Sequence, residues 1–370
     1  MEKTKLSQGY TLYTNDKDNT ASNVENVKIK DAYDIVSVIM TFYNAEAFIE
    51  QAMRSVILQQ THGEGKEHIA IEFIIVDDKS QDNSRKIVES IKEKFEKELY
   101  NSTMFDTTIK IVEPETNLGC GGARKFGIEN ATGNYYMFLD ADDYYINTDF
   151  ILRAHELMKR NTDVDIIEFG VRVNIANGQT TNSVVPQAFI INNPDAAEIA
   201  LFKDNAIKFN VWSKIYKESI IKSYEYSDSR TFEDVRTVPY WVQNAKQIMV
   251  MNTVEVNYRA NQTSIIRNNV VDTRIGTITA IASLFGSLTN NIHVLKAMYE
   301  RAMIDITALC DGKSEENEGF KEMSALNTMM LKHIYADDWY KLTFNPDVPE
   351  FFEKQKQWLD EQAALQQNNH

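Results

Sequence analysis

The chain of 370 residues has little cysteine: only Cys120 and Cys310 are present. Two thiols build neither a disulfide framework nor a structural zinc site, so a reducing compartment is the simpler expectation. No uninterrupted apolar run approaches the roughly 18 residues that span a bilayer. The first residues lack a charged segment followed by an apolar stretch, so no signal peptide is expected. Positive charge is in deficit, with 39 Lys plus Arg against 54 Asp plus Glu and a net charge of −15. A duplex-binding protein usually shows a basic surface, so no nucleic-acid partner is expected. Both the dinucleotide signature G-x-G-x-x-G and the phosphate loop G-x-x-x-x-G-K-[ST] are missing. No internal repeat is evident. These absences point to a cytoplasmic protein without a transmembrane segment, with peripheral membrane contact left open.

With 43% hydrophobic and 25% charged residues, the chain has the composition of a globular protein. Its length exceeds one typical domain. Residues 1–33 read as a polar leader. From Ile35 the texture changes. Short apolar runs, rich in β-branched residues at Ile35–Met40, Ile69–Val76 and Ile109–Val112 and in aromatics at Tyr135–Leu139, predict strands. Helical spacing over 46–60, 83–98 and 121–130 fills the gaps between them. Strand-like runs recur at Val164–Val173 and Val254–Arg259, and residues 268–370 carry a helical pattern. Strands alternating with helices predict an α/β fold with a mostly parallel central sheet flanked by helices. The expected division is a leader over 1–33, a main domain over 34–267 and a helical C-terminal module over 268–370.

Ligands in such sheets bind at the carboxyl ends of the strands. Two strands here end in carboxylates. One runs into Asp140, Asp142 and Asp143, the other into Asp77 and Asp78. Crowded carboxylates repel unless a cation neutralises them, so Asp140 and Asp142 are candidates to hold a metal and a neighbouring ribose. Either Asp77 or Asp78 is a candidate to accept a hydrogen bond from the imide of uracil, while helix capping by Ser80, Asp82 or Asn83 explains the same turn. Gly119, Gly121 and Gly122 would let backbone approach a ligand closely, with Arg124 one turn into the following helix. Glu233 and Asp234 fit either a catalytic carboxylate or a plain helix-capping acid.

In order, the segments VSVIMTFYNAEAFIEQAMRSVILQQ, EFIIVDDKSQDNS, NLGCGGARKFGIENATGNYYMFLDADD, VWSKIY, FEDVRTVPYWV and NYRANQTSI resemble the family 2 glycosyltransferases with a GT-A fold. The resemblance covers about residues 34–267. It implies an inverting transferase that takes a UDP-sugar donor and Mn²⁺ or Mg²⁺ and delivers to a hydroxyl of a glycan or glycoconjugate acceptor. It further implies that Thr41, Tyr43, Asp77, Asp78, Arg124 and Asp140 line the nucleotide site, and that Asp142 is the direct metal ligand. Asp234 would be the catalytic base with Glu233 orienting a sugar. Trp212 and Lys214 would border the donor and acceptor sugars, and Arg259 and Ser264 would belong to a loop over the diphosphate. Arg124-Lys125 stands where many members have Arg-Asn. The C-terminal helices have no counterpart in the resemblance; plain packing, acceptor binding, homo-oligomer contact and a membrane surface are the alternatives. A nucleotidyltransferase and a catalytically silent nucleotide- or glycan-binding protein are the competing readings.

Overall fold

The computed structural model describes residues 2–5, 11–14, 33–63, 68–98, 106–174, 179–260 and 270–310, with 286 and 290 excepted. Ser264 and residues 311–370 lie outside the described residues. Within the polar leader, β1 (Glu2–Lys5) and β2 (Thr11–Thr14) pair antiparallel.

The alternating half follows the hydrophobic pattern closely. In chain order it comprises β3 (Asp34–Phe42), α1 (Ile49–Ile57), β4 (Ile69–Asp77), α2 (Ser84–Glu98), β5 (Thr107–Val112), α3 (Gly119–Glu129) and β6 (Tyr135–Asp140). β3 pairs parallel with both β4 and β6, and β4 pairs parallel with β5. The second half continues with β7 (Tyr144–Tyr145), α4 (Phe150–Arg160), β8 (Val164–Asn174), β9 (Thr180–Ser183), β10 (Phe189–Ile191) and α5 (Pro194–Phe202). Then come β11 (Lys214–Lys217), α6 (Glu218–Ile221), α7 (Glu233–Asn244), β12 (Gln247–Arg259), α8 (Val270–Ala282) and α9 (Ile292–Cys310).

The sheet runs β10-β12-β8-β11-β6-β3-β4-β5, with β7 beside β12 and β9 beside β8. It is mixed. β11 lies antiparallel to β6 on one side and to β8 on the other, so the block from β6 to β5 is parallel while the other half changes direction.

Alternation along β3 explains the two cores. Val36, Val38 and Met40 face α1, α2 and α4, where Met53, Val88, Ile91 and Ala154 pack. Ile39 faces the other layer with α3, α5, α7, α8 and α9, where Ala123, Leu201, Trp241, Ile281 and Met298 pack. Each fully buried side chain of the Leu, Ile or Phe class stabilises by about 1.5–3 kcal/mol. Trp241 is fully buried and donates its indole N–H to the carbonyl of Tyr224 at 3.0 Å, so its polar atom is satisfied. α8 and α9 belong to this second core and pack on α7 and α5 rather than standing apart. Arg236 on α7 donates to Ser283 at 2.9 Å, and Tyr240 bonds Ser287 at 2.7 Å. No helix among the described residues is long and apolar enough to cross a membrane.

Candidate active site

Parallel register brings three strand ends level. Thr41 pairs with Asp140 across β3 and β6, and Phe42 pairs with Asp77 across β3 and β4. The polar residues after these strands therefore share one edge of the sheet, with Tyr43 half-exposed just beyond Thr41.

Asp140, Asp142 and Asp143 converge there, each with a carboxylate oxygen within 4.8 Å of the others. Asp143 is fully buried. Its Oδ1 accepts from the Arg259 amide at 2.8 Å, while its Oδ2 is buried without a hydrogen-bond partner. Burial, and then the charges of Asp140 and Asp142, push its pKa well above the usual carboxylate range. An orphaned carboxylate oxygen beside two further carboxylates fits a hard divalent cation, which takes oxygen ligands and offsets the repulsion.

Arg124 joins this cluster to α7. Its guanidinium donates through Nη2 to Asp140 and through Nη1 to Glu233, with Tyr226 Oη 3.4 Å from Nη1. Arg124 and Glu233 are both buried. Phe232, just before α7, adopts a left-handed conformation at φ 57°, and its ring lies against Gly276 of α8. Asp234 follows in the first turn of the helix. Its Oδ1 accepts from the Val235 amide at 2.7 Å. Desolvation, and then the neighbouring Glu233, push its pKa up to about 6.

Arg259 closes the other side. Its guanidinium donates to the Asp142 carbonyl and to Gln51, and it sits 4.9 Å from the Tyr144 ring centroid and 5.3 Å from that of Phe48. Trp212 stacks face to face on Tyr258 at 5.3 Å. Ser264 falls outside the described residues, so its expected place in the same segment has no structural counterpart here.

Three expectations change in detail. Asp78 is buried, and both its oxygens accept backbone amides, from Leu118 at 2.7 Å and Gly119 at 2.8 Å. It fixes the glycine loop, and only its remaining lone pairs are left for a base. Burial raises its pKa in spite of those two amides. Asp77 likewise serves a turn, accepting the Ser80 amide at 2.9 Å, with Arg85 3.7 Å away. Lys214 has no exposed side-chain surface. Its ammonium donates to the Asn210 carbonyl at 2.6 Å and pairs with Glu168 at 3.2 Å, so it underlies the site rather than bordering an open cleft.

The glycines serve the protein's own backbone. A Cβ on Gly121 would stand 2.2 Å from the Ser229 carbonyl and 2.5 Å from that of Ser227. Gly119 has φ +76°, and a Cβ there would meet the Arg230 side chain at 2.7 Å. Arg230 in turn clamps Asn117, donating to its Oδ1 at 2.9 Å and its carbonyl at 2.8 Å. The loop is thus locked against residues 227–230, the approach to α7.

Residues 37–213 match the family model for glycosyl transferase family 2. The chain carries a family 2 glycosyltransferase domain. It is 33% identical over 130 residues to an uncharacterized glycosyltransferase of Haemophilus influenzae, covering 34% of this chain and 45% of that one. It is 25% identical over 240 residues to the glycosyltransferase GlyG of Streptococcus pneumoniae, covering 63% and 73%. The chain therefore spans under half the length of the first of these relatives. S. aureus TarS 1–349, solved in complex with UDP-GlcNAc, shares the fold with a TM-score of 0.57 at 18% identity, over 81% of each chain.

Within this glycosyltransferase domain, sequence reasoning gave Asp143 no role, although it is the third acid of the same run. Only burial distinguishes it. Tyr226, Arg230 and Gln51 carried no local signal; topology alone brings them to the site.

Proposed function

We propose that this domain transfers a sugar, with inversion, from a UDP-sugar to a hydroxyl of a glycan or glycoconjugate acceptor, with Mn²⁺ or Mg²⁺ as cofactor. The observation that carries the reading is the meeting of the β6 acids and the α7 acids through one buried arginine, Arg124. Asp140, Asp142 and Asp143 would hold the cation, which when bound supplies charge stabilisation to the diphosphate. Tyr43 and Thr41 stand where a nucleobase would enter, and Asp78 holds the loop beneath it. Arg259, already beside Asp142 and Asp143, is placed to receive a phosphate.

Asp234 accepts the proton of the acceptor hydroxyl. A pKa near 6 leaves it ionised at neutral pH yet basic enough to take a proton in the transition state. Glu233 stays fixed by Arg124, and Lys214 supports the floor through Glu168.

The test is release of UDP from a panel of UDP-sugars, with and without Mn²⁺, with the inverted product identified by NMR. Release that depends on both acceptor and cation supports the reading. Tight UDP binding without turnover on any donor favours a silent binding protein, and release of pyrophosphate favours a nucleotidyltransferase.

A further inference from the structure

We propose that the polar depression beside Tyr144 is the acceptor subsite, and that it takes a hydroxyl-rich chain bearing an anionic group, phosphate or carboxylate. The inference rests on the transferase reading above and adds the chemistry of the acceptor to it.

The depression measures about 500 Å³ and is lined by Tyr144, Arg172, Asn174, Thr180, Asn182 and Asn257. Strand register explains why these six meet. In one cross-strand row, Tyr144 on β7 faces Asn257 on β12, Asn257 faces Arg172 on β8, and Arg172 faces Asn182 on β9. In the next row, Arg259 faces Asn174 and Asn174 faces Thr180. Residues two apart in a strand share a face, so both rows lie on one side of the sheet. At about 4.8 Å per strand, four strands carry the track roughly 14 Å outward. It starts beside the metal acids, because Arg259 packs over the Tyr144 ring and bonds Asp142 and Asp143.

The lining chemistry names the ligand class. Three amides and a threonine offer both donors and acceptors, as a hydroxyl-rich chain requires. Tyr144 adds an aromatic face with a polar tip. Two polar atoms have no partner: Asn257 is 1% exposed and its Nδ2 is unsatisfied, as is Oδ1 of Asn174. The amides bond each other once, at 3.1 Å, leaving one donor and one acceptor over. Arg172 is the one charged residue in the lining, and among the described residues no carboxylate is paired with it. A guanidinium offers forked donors matched to phosphate or carboxylate. On a protein of net charge −15, generic attraction of anions is weak, so capture depends on this one group.

Calorimetric titration of the full chain tests this directly. The probes are a glycerol phosphodiester oligomer, an oligogalacturonate and neutral maltoheptaose; UDP with Mn²⁺ is titrated separately. One charged probe should bind, and which one separates phosphate from carboxylate. Arg172→Gln should weaken it at least about tenfold, the size of one charge-assisted hydrogen bond. Asn182→Ala should weaken it less, and both variants should keep wild-type UDP affinity. Equal binding of maltoheptaose, unchanged affinity in Arg172→Gln, or no binding of either charged probe overturns the proposal. Failure of the unmodified chain to bind UDP with Mn²⁺ instead overturns the transferase reading, and the probe titrations still decide the anion site.

Discussion

Arg124 and Glu233 lie 109 positions apart in the chain and meet in a buried ion pair that fastens α3 to the start of α7. Removing one partner of a buried pair leaves the other charge uncompensated, at a cost of about 3–5 kcal/mol. Arg124→Ala strands both Glu233 and Asp140 and should fall in that range in urea unfolding. Arg124→Lys keeps the charge, but a single ammonium cannot fork to two carboxylates, so it should recover only part of the loss. Wild-type stability in Arg124→Ala would refute the assignment.

Asp142→Ala and Asp143→Asn address the cation. The first removes a carboxylate from the three-acid cluster, and the second replaces one carboxylate oxygen by an uncharged amide nitrogen. Calorimetry with Mn²⁺ should show affinity falling by at least about 10–100-fold in either variant, since even outer-shell partners of metal ligands cost that much when lost. UDP binding should lose its Mn²⁺ dependence in parallel. Unchanged Mn²⁺ titration in Asp143→Asn would remove that residue from the set.

Asp234 predicts a pH profile. With its pKa raised to about 6, the ionised form that the proposed base role requires is lost below that point. The rate kcat/KM should therefore rise about tenfold per pH unit up to about 6 and then level. Asp234→Asn should lose about 10²–10⁴-fold in turnover while binding UDP normally. The sign for stability runs the other way. The folded state holds this proton more tightly than the unfolded chain, whose Asp titrates near 3.9. This group's contribution is therefore present at acid pH and lost as pH rises from about 4 to about 6. That slope should vanish in Asp234→Asn.

Gly121→Ala should destabilise by about 1–3 kcal/mol, since the added carbon meets two backbone carbonyls that cannot swing away. Because those carbonyls belong to the segment leading to Glu233, turnover should drop as well, although residue 121 touches no reacting group. Thermal unfolding and initial rates measured on one preparation would check both effects. A variant as stable and as active as the parent would show that the loop tolerates the insertion.

The parallel half of the sheet was legible because its strands are continuous apolar runs closed by polar turns, as at Ile74–Asp77 and Phe138–Asp140. β9, β10 and β11 were not. Each has only 3 or 4 residues, and β9 is exposed throughout, so neither alternation nor a buried run marks them. Lys214 shows the consequence: without β11 in view, the resemblance sets it at the border of the sugar site, whereas the strand carries it into the interior. For the site, acids at strand ends could be read from spacing, but not which oxygen each would present. The glycines were visible too; that they make room for residues 227–230 depends on a contact more than a hundred positions away.

Phe232 stands between the acid pair and Gly276, where no side chain larger than hydrogen fits beneath its ring. The start of α7, with Glu233 and Asp234, is thus mechanically coupled to α8. A displacement of α8 would be passed through one aromatic ring to the first turn of α7 and its two acids.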